Sequence, residues 1–320
     1  MDTWKPVWRI DPAGGAAAEM KSLATVPVPG RAWRLPEAVA GHVVGWYPGA
    51  GVIFAEGHPA GGERLGAPSE LVAAFDRLRL ALEAAYVPLP PGVAGEDWLG
   101  ERSAGFGGVG RLDATVNLRM GSSAEGAAVM AGVAALLGQA GLQELWRSRG
   151  RLETVYLRAS RGGRALGRWY DKGAEAGWAP VGELLRAEDQ RRWPQAQRRM
   201  VGELHGGYVR GLFHRRFVPL WKASKGVTVA GSMVVVSRLA EAVDAGDVTW
   251  REAERMCASI LVEPLLASAR APVSRWTRQR ARSLIARHGL VLADGVLEPV
   301  EVDLEDVLEA CLEAGWERRG

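Results

Sequence analysis

The chain has 320 residues, of which 48% are hydrophobic and 24% are charged, and this composition excludes a wholly disordered protein. Its two cysteines, Cys257 and Cys311, are too few and too far apart for a disulfide framework or a zinc site. The first residues lack a signal-peptide core, and no apolar run approaches the ~18 residues of a membrane span. We therefore expect a cytoplasmic protein that does not cross a membrane.

Most of the basic residues are arginines and few are lysines. The net charge is only +3, but 35 of the 40 basic residues are Arg and five are Lys. A GC-rich genome would favour Arg codons in this way. Selection for guanidinium groups that bind phosphate would have the same effect. The composition leaves both explanations open.

Residues 1–105 are rich in Gly, Pro and Ala. The stretch 42–57 predicts two strands around a Pro-Gly turn. The stretch 69–86 predicts an amphipathic helix with Ser69 as its N-cap. We predict an N-terminal α+β segment over 1–105 that belongs to the core of the protein.

The stretch 111–193 has the clearest periodicity. Residues 111–118 alternate polar and apolar side chains, as in a half-buried strand. A helix follows, capped by Ser122 or Ser123, and then two short strands, 153–159 and 166–172, joined by an Arg- and Gly-rich turn. Residues 183–193 fit a strand or a helix. This order predicts an α+β fold with a largely antiparallel sheet and packed helices, and a core domain over 106–222.

The remainder, 223–320, is predicted to be a helical C-terminal region. Thr249 and Glu252 are spaced as a capping box at the start of one helix. A basic helix over 273–289 and an acidic helix over 303–316 follow. We detect no internal sequence repeat.

Three polar residues of the core are candidate metal ligands. Asp113 and Asn117 lie on the same polar side of the first strand, and Glu188 lies on the polar side of a later one. Carboxylates from neighbouring strands can hold a hard divalent cation. The alternative is that these are the solvent-facing sides of ordinary antiparallel strands.

Two of the five tyrosines lie among charged residues. Tyr170 adjoins Asp171 and Lys172, and Tyr208 lies among arginines. A tyrosine beside a metal and cations can attack a phosphodiester. A half-buried aromatic with its hydroxyl in water is the alternative for each.

Basic residues form three clusters, in the 158–172 hairpin, over 186–216 and over 271–290. Such clusters are typical of a surface that follows a phosphate backbone, and nearby tryptophans could stack on bases. Solvated surface is the alternative for any single cluster. The sequence lacks the Walker A, Rossmann, HExxH and GxSxG motifs.

The order of these motifs resembles the replication initiation factor family. This family comprises Rep proteins of rolling-circle plasmids and filamentous phages, with related relaxases of mobile elements. The resemblance covers roughly residues 109–220. It is carried by the order and spacing of three motifs: Arg111–Asp113, the hairpin of Ser160–Arg161 that leads into Arg168–Lys172, and Arg186–Glu188.

The resemblance implies a relaxase-like endonuclease that binds a replication origin and nicks single-stranded DNA. A tyrosine would form a 5′-phosphotyrosyl intermediate and leave a 3′-hydroxyl that primes DNA synthesis. Tyr208 is the first candidate nucleophile and Tyr170 the second. Arg168 and Lys172 would hold the scissile phosphate.

The resemblance also implies a cofactor and partners. Asp113, Glu188 and Asn117 would bind Mg²⁺ or Mn²⁺. A host helicase and a second copy of the chain are further candidate partners. The residues expected to contact DNA are Arg161, Arg164, Arg186, Arg191, Arg210, Arg275 and Arg278.

The sequence departs from the family pattern in three places. Asn117 stands where the family often has a second acid. Arg198 stands where the plasmid branch has its nucleophile, about ten residues after Glu188. The turn between the two short strands is shorter and richer in glycine. A non-catalytic DNA-binding protein, such as a degenerate initiator or a regulator, is therefore the alternative function. A protein unrelated to DNA, whose arginines reflect base composition, is a third.

Overall fold

The structure is a computed structural model. It describes residues 3–29, 32–57, 70–90, 106–139, 143–148, 151–158, 165–176, 179–194, 197–204, 206–258, 283, 285–286, 290–293 and 296–314. The protein has an α+β fold built on a large antiparallel sheet, as predicted. Within the described residues no helix is both long and apolar enough to cross a membrane.

Thirteen strands and eight α-helices are found in these residues. The strands are β1 Trp4–Arg9, β2 Val26–Val28, β3 Ala32–Arg34, β4 His42–Tyr47, β5 Val52–Gly57, β6 Phe106–Arg119, β7 Gln143–Ser148, β8 Arg151–Arg158, β9 Ala165–Asp171, β10 Leu184–Arg192, β11 Thr228–Ala230, β12 Leu290–Leu292 and β13 Glu301–Asp303. The helices are α1 Gly15–Leu23, α2 Glu70–Ala84, α3 Ser123–Gln139, α4 Lys172–Ala176, α5 Gly206–Ala223, α6 Ser232–Asp244, α7 Trp250–Cys257 and α8 Leu304–Glu313.

Ten strands form one sheet in the order β2-β3-β4-β5-β1-β6-β10-β9-β8-β7. Neighbouring strands in this sheet pair antiparallel. The N-terminal segment therefore belongs to the same sheet as the predicted core. The stretch 183–193, which fitted a strand or a helix, forms the strand β10.

Two halves of this sheet have the same topology. Unit 1 (residues 4–57) runs β1, α1 and then β2 to β5, and β5 returns to pair with β1. Unit 2 (residues 106–192) runs β6, α3 and then β7 to β10, and β10 returns to pair with β6. The first strands, β1 and β6, pair with each other and join the units. The fold thus contains a structural repeat that the sequence does not reveal.

The helices α1, α2, α3 and α5 pack on one side of the sheet, which we call the back face. Their apolar residues form one core with the back-face side chains of the strands. Trp4 and Trp8 of β1 contact the Phe75 ring of α2, with ring centres 6.1 and 5.9 Å apart. Trp169 of β9 meets Phe217 of α5 at 6.1 Å. These tryptophans are core residues, and the front face of the sheet lies on the other side.

The C-terminal region is not purely helical. β11 pairs parallel with β12 and antiparallel with β13 to form a second, three-stranded sheet. The predicted capping box is confirmed, because the Thr249 hydroxyl accepts a hydrogen bond from the Glu252 backbone at the start of α7. The predicted acidic helix is confirmed as α8, with Leu308 and Cys311 buried. The predicted basic helix lies almost wholly outside the described residues.

Candidate functional site on the front face

Three rows of paired residues cross unit 2 on the front face. Residues directly opposite each other in an antiparallel ladder project on the same side of the sheet. The sequence alternation of β6 and β10 therefore places their polar residues together. The rows are Asp113–Gln190–Leu166, Thr115–Glu188–Arg168–Tyr156 and Asn117–Arg186–Tyr170–Thr154.

Glu188, in the middle row, is fully buried and is held by two neighbours. Nε and Nη2 of Arg168 donate to its two carboxylate oxygens, each over 2.9 Å. This bidentate geometry is the strongest form of a carboxylate–guanidinium contact. Burial lowers the pKa of Arg168, but the pairing with Glu188 outweighs burial and raises it overall. Arg168 therefore keeps its charge beside Glu188.

Tyr170 contacts the same carboxylate and lies beside Arg168. Its hydroxyl donates to Oε2 of Glu188 over 3.2 Å, and the Arg168 guanidinium carbon lies 4.6 Å from its ring centre. Tyr170 is 4% exposed. Burial, and then the charge of Glu188, raise the pKa of Tyr170 above its ordinary value. The phenol is therefore neutral in this arrangement, with Glu188 placed to accept its proton.

Asp113, in the first row, belongs to a chain of ion pairs that links the two units. Nε and Nη2 of Arg111 donate to its carboxylate over 3.0 and 2.6 Å. Nη1 of Arg111 donates to Glu56 of unit 1 over 2.6 Å, and Lys5 donates to Glu56 over 3.0 Å. Burial raises the pKa of Glu56, but the two cations, Lys5 first, lower it overall. The charges of β5, β1 and β6 thus form one continuous group.

Asp113 and Glu188 project from neighbouring strands on the same face. Glu188 is paired with Thr115, and Asp113 lies two residues before Thr115 on β6. Both carboxylates favour the charged form of Arg168. Both carboxylates therefore stabilise the charge of the Arg168 guanidinium. These three groups and Tyr170 form the candidate site on the front face.

The third predicted metal ligand, Asn117, is engaged by an arginine. Nε of Arg186 donates to its side-chain oxygen over 2.7 Å, and Arg186 is 3% exposed. Arg186, which was predicted to contact DNA, is therefore buried within the front face.

The donor set of these residues does not fit a divalent cation in this arrangement. Each of the two carboxylates is held by a bidentate guanidinium, and the amide oxygen of Asn117 already accepts from Arg186. Among the described residues no group of three or more His, Cys, Asp or Glu side chains is placed to hold a metal ion. Arginine supplies the positive charge beside both carboxylates here.

Tyr208, the first candidate nucleophile, lies in α5, which packs on the back face. Two contacts fix α5 there: Phe217 against Trp169, and Arg216 Nε donating to the buried Asp189 over 3.0 Å. Tyr208 is half-buried against the core, with the Arg199 guanidinium 5.5 Å from its ring centre. The structure therefore brings Tyr170, and not Tyr208, to the Glu188 carboxylate, with Asp113 on the same face.

The other predicted functional cations divide between the two sides of the sheet. Arg191 donates to Asp189 over 2.6 Å and to the Leu212 carbonyl of α5, so it anchors that helix to the back face. Arg210 is exposed on α5. Nζ of Lys172 lies 5.9 Å from the ring centre of Tyr170 and pairs with Glu175. Arg161, Arg164, Arg275 and Arg278 lie outside the described residues.

Sequence reasoning missed the front-face residues of β1. Lys5, Val7 and Arg9 alternate with Trp4, Pro6 and Trp8, and this period-2 pattern was the available signal for a strand. Glu56 is the second-to-last residue of β5, and the pairing of β1 with both β5 and β6 brings it to Arg111.

No protein-family model, no curated protein and no solved structure matches this chain.

Proposed function

We propose that this protein binds DNA across its front face and nicks and rejoins one strand through a tyrosine, as a rolling-circle replication initiator does. The observation that carries the proposal is the contact of Tyr170 with Glu188 and Arg168, with Asp113 on the same face. A phenol, a proton acceptor and a guanidinium are the groups that phosphoryl transfer to tyrosine needs.

The chemistry that these residues support is an in-line displacement at phosphorus. The Tyr170 phenol transfers its proton to Glu188, and its oxygen forms a bond to the phosphorus. The bond from phosphorus to the 3′ oxygen breaks, and that oxygen takes up a proton from water to become a free 3′-hydroxyl, while Glu188 returns its proton to the solvent. Arg168 stabilises the negative charge that develops on the phosphate. Reversal of the same steps rejoins the strand.

Burial of the site sets a condition on this reaction. Tyr170 and Glu188 are 4% and 0% exposed, so the DNA strand reaches them only when the site opens. A phosphate that takes the place of Glu188 on Arg168 would release the carboxylate to act as a base. Dependence on Mg²⁺ or Mn²⁺ stays a prediction, since the arginines occupy the carboxylates in this arrangement.

A second candidate function is DNA binding without cleavage. The neutralised carboxylates and the raised pKa of Tyr170 favour an unreactive phenol. Such a protein would act as a regulator or as an initiator that has lost nicking. It would bind DNA through phosphate contacts, and therefore with strong salt dependence.

Nicking of supercoiled DNA tests the proposal. The substrate is a plasmid that carries the DNA surrounding the coding sequence, incubated with Mg²⁺, Mn²⁺ or EDTA. We expect open circles and a protein–DNA adduct that survives denaturation. The Tyr170→Phe variant should form no adduct, and the matched variant Tyr208→Phe should form as much as the parent.

Each other outcome selects a different function. Salt-sensitive DNA binding without an adduct under any condition would select the non-catalytic function. Loss of the adduct only in Tyr208→Phe would show that the nucleophile is Tyr208 in α5. Absence of DNA binding near about 100 mM salt would contradict both candidate functions.

A further inference from the structure

The pairing of β1 with β6 is irregular near Pro6, and a basic cluster lies at this irregularity. The register shifts on both sides of Pro6. On β6 the same stretch contains Gly108 and Gly110, and Gly108 has a φ of +82°, which favours glycine. The segment after β10 closes over it, with the Val109 amide donating to the Arg199 carbonyl over 2.7 Å. This contact brings Arg198 against the two glycines.

Arg198 fills the space that side chains would occupy at these glycines. A Cβ atom at Gly108 would lie 2.9 Å from Cβ of Arg198. A Cβ atom at Gly110 would lie 3.6 Å from both Nε of Arg198 and Cγ2 of Val7. The guanidinium and Val7 therefore flank the same glycine. Val7 lies on the front face of β1, because it alternates with the buried Trp4 and Trp8.

Arg198 has donors that no group in the described part of the chain satisfies. Its Nε and Nη1 atoms are shielded from solvent and have no hydrogen-bond partner. The residue as a whole is half-buried, so part of it remains accessible. Shielded donors without an acceptor are unfavourable, and charged ones most of all. An acceptor that arrives from outside would remove this penalty.

A second guanidinium, that of Arg9, lies near enough to Arg198 to repel its charge. Arg9 is exposed and shares the front face of β1 with Val7, two residues or about 7 Å further along the strand. Burial, and then the positive charge of Arg9, lower the pKa of Arg198. In the described part of the chain, no carboxylate forms an ion pair with either arginine. Two adjacent cations without a counter-ion attract an anion.

We propose that Arg9 and Arg198 form a phosphate-binding subsite at the irregular pairing of β1 and β6. The acceptor is a tetrahedral phosphate, because its oxygens match the fork of N–H donors on a guanidinium. The assignment to a DNA phosphate rests on the proposed function, since the subsite lies on the same face as Tyr170 and Glu188. The subsite would hold the DNA strand on the unit 1 side of Tyr170 and Glu188.

Inorganic phosphate is the first probe. We expect phosphate, compared with chloride at equal ionic strength, to raise the melting temperature of the parent and not that of Arg198→Gln. In chloride alone, Arg198→Gln should melt about 2 °C higher than the parent, because the shielded donors and the repulsion from Arg9 are gone. An equal effect of phosphate on both proteins would overturn the subsite.

A single-stranded oligonucleotide is the second probe. Arg198→Gln and Arg9→Gln should each weaken its binding about tenfold. Each should also lower the slope of log affinity against log salt by about 0.7. Arg198→Lys keeps the charge but loses the fork, so it should bind between Arg198→Gln and the parent. Arg251→Gln is the control, since it removes an exposed charge on α7, a helix that packs against α6.

The two probes separate failure of the subsite from failure of the proposed function. Oligonucleotide binding by the parent that neither Arg9→Gln nor Arg198→Gln changes would overturn the DNA subsite and leave the proposed function standing. Phosphate stabilisation that requires Arg198, in a protein that binds no DNA, would overturn the proposed function and support a subsite for free phosphate.

Discussion

Units 1 and 2 have the same order of strands, but their front faces differ in chemistry. In unit 1 the front face carries an apolar cluster around Val7 and Phe54, with Tyr47 packed against it. In unit 2 the same face carries Asp113, Glu188 and the residues that pair with them. One topology thus supports a buried apolar cluster beside the Lys5–Glu56 ion pair in one half and a group of buried charged residues in the other.

Each unit nevertheless places one glutamate of its last strand on the front face. Glu56 of β5 has a side chain 30% exposed, and Glu188 of β10 is fully buried. Both are paired with basic residues. They form a natural pair for measuring how burial changes the contribution of a glutamate that is paired with basic residues.

The largest expected effect concerns these two glutamates. Glu188→Gln should lower the free energy of unfolding by about 3 kcal/mol, because it leaves the charge of Arg168 uncompensated in a buried site. Glu56→Gln should lower it by less than about 1 kcal/mol, because that pair is partly exposed. Urea unfolding of both variants measures the difference. Equal losses of unfolding free energy in the two variants would mean that burial of the glutamate does not determine how much its ion pairs stabilise the protein.

A second contrast concerns the helix of each unit. A Cβ atom at Gly126 of α3 would overlap the carbonyl oxygen of Gly182, whereas one at Gly15 of α1 would meet nothing within 4 Å. Gly126→Ala should therefore destabilise the protein by about 2 kcal/mol as α3 shifts. Gly15→Ala should stabilise it by about 0.5 kcal/mol through helix propensity. Thermal unfolding of the two variants should move in opposite directions, and shifts of the same sign would refute the close packing of α3.

The smallest expected effect is a pH dependence in unit 1. Lys5 and Arg111 hold the pKa of Glu56 below its ordinary value of 4.5. A lowered pKa in the folded state means that the contribution is complete above about pH 4.5 and is lost as the pH falls through the folded pKa. The stability difference between the parent and Glu56→Gln should therefore vanish in acid. A difference that stays constant from pH 7 to pH 3 would show that the ion pairs are not its source.

Local patterns predicted much of unit 2. The alternation in β6 and β10 gave the correct face for Asp113 and Glu188, because side-chain direction in a strand has period 2. The same alternation placed Asp189 among apolar residues, where it is buried and paired with Arg216, 27 residues further on. That partner depends on how α5 packs, and no local pattern encodes it.

Contacts between distant segments account for what the sequence did not predict. β1 contains Pro6, and its two neighbours, β5 and β6, lie far along the chain. The positions of Tyr170 beside Glu188 and of Tyr208 in α5 depend on strand register and on the face that α5 covers. Arg198 stood out in the sequence only as the residue at the expected nucleophile position, and its proximity to Arg9 requires the fold.

The most direct test of the central claim is to locate the tyrosine that becomes linked to DNA. After nicking, trypsin digestion and nuclease treatment, mass spectrometry should find a nucleotide remnant on the peptide WYDK, residues 169–172, which contains Tyr170. A remnant on residues 200–210, which contain Tyr208, would contradict the assignment of the site to the front face.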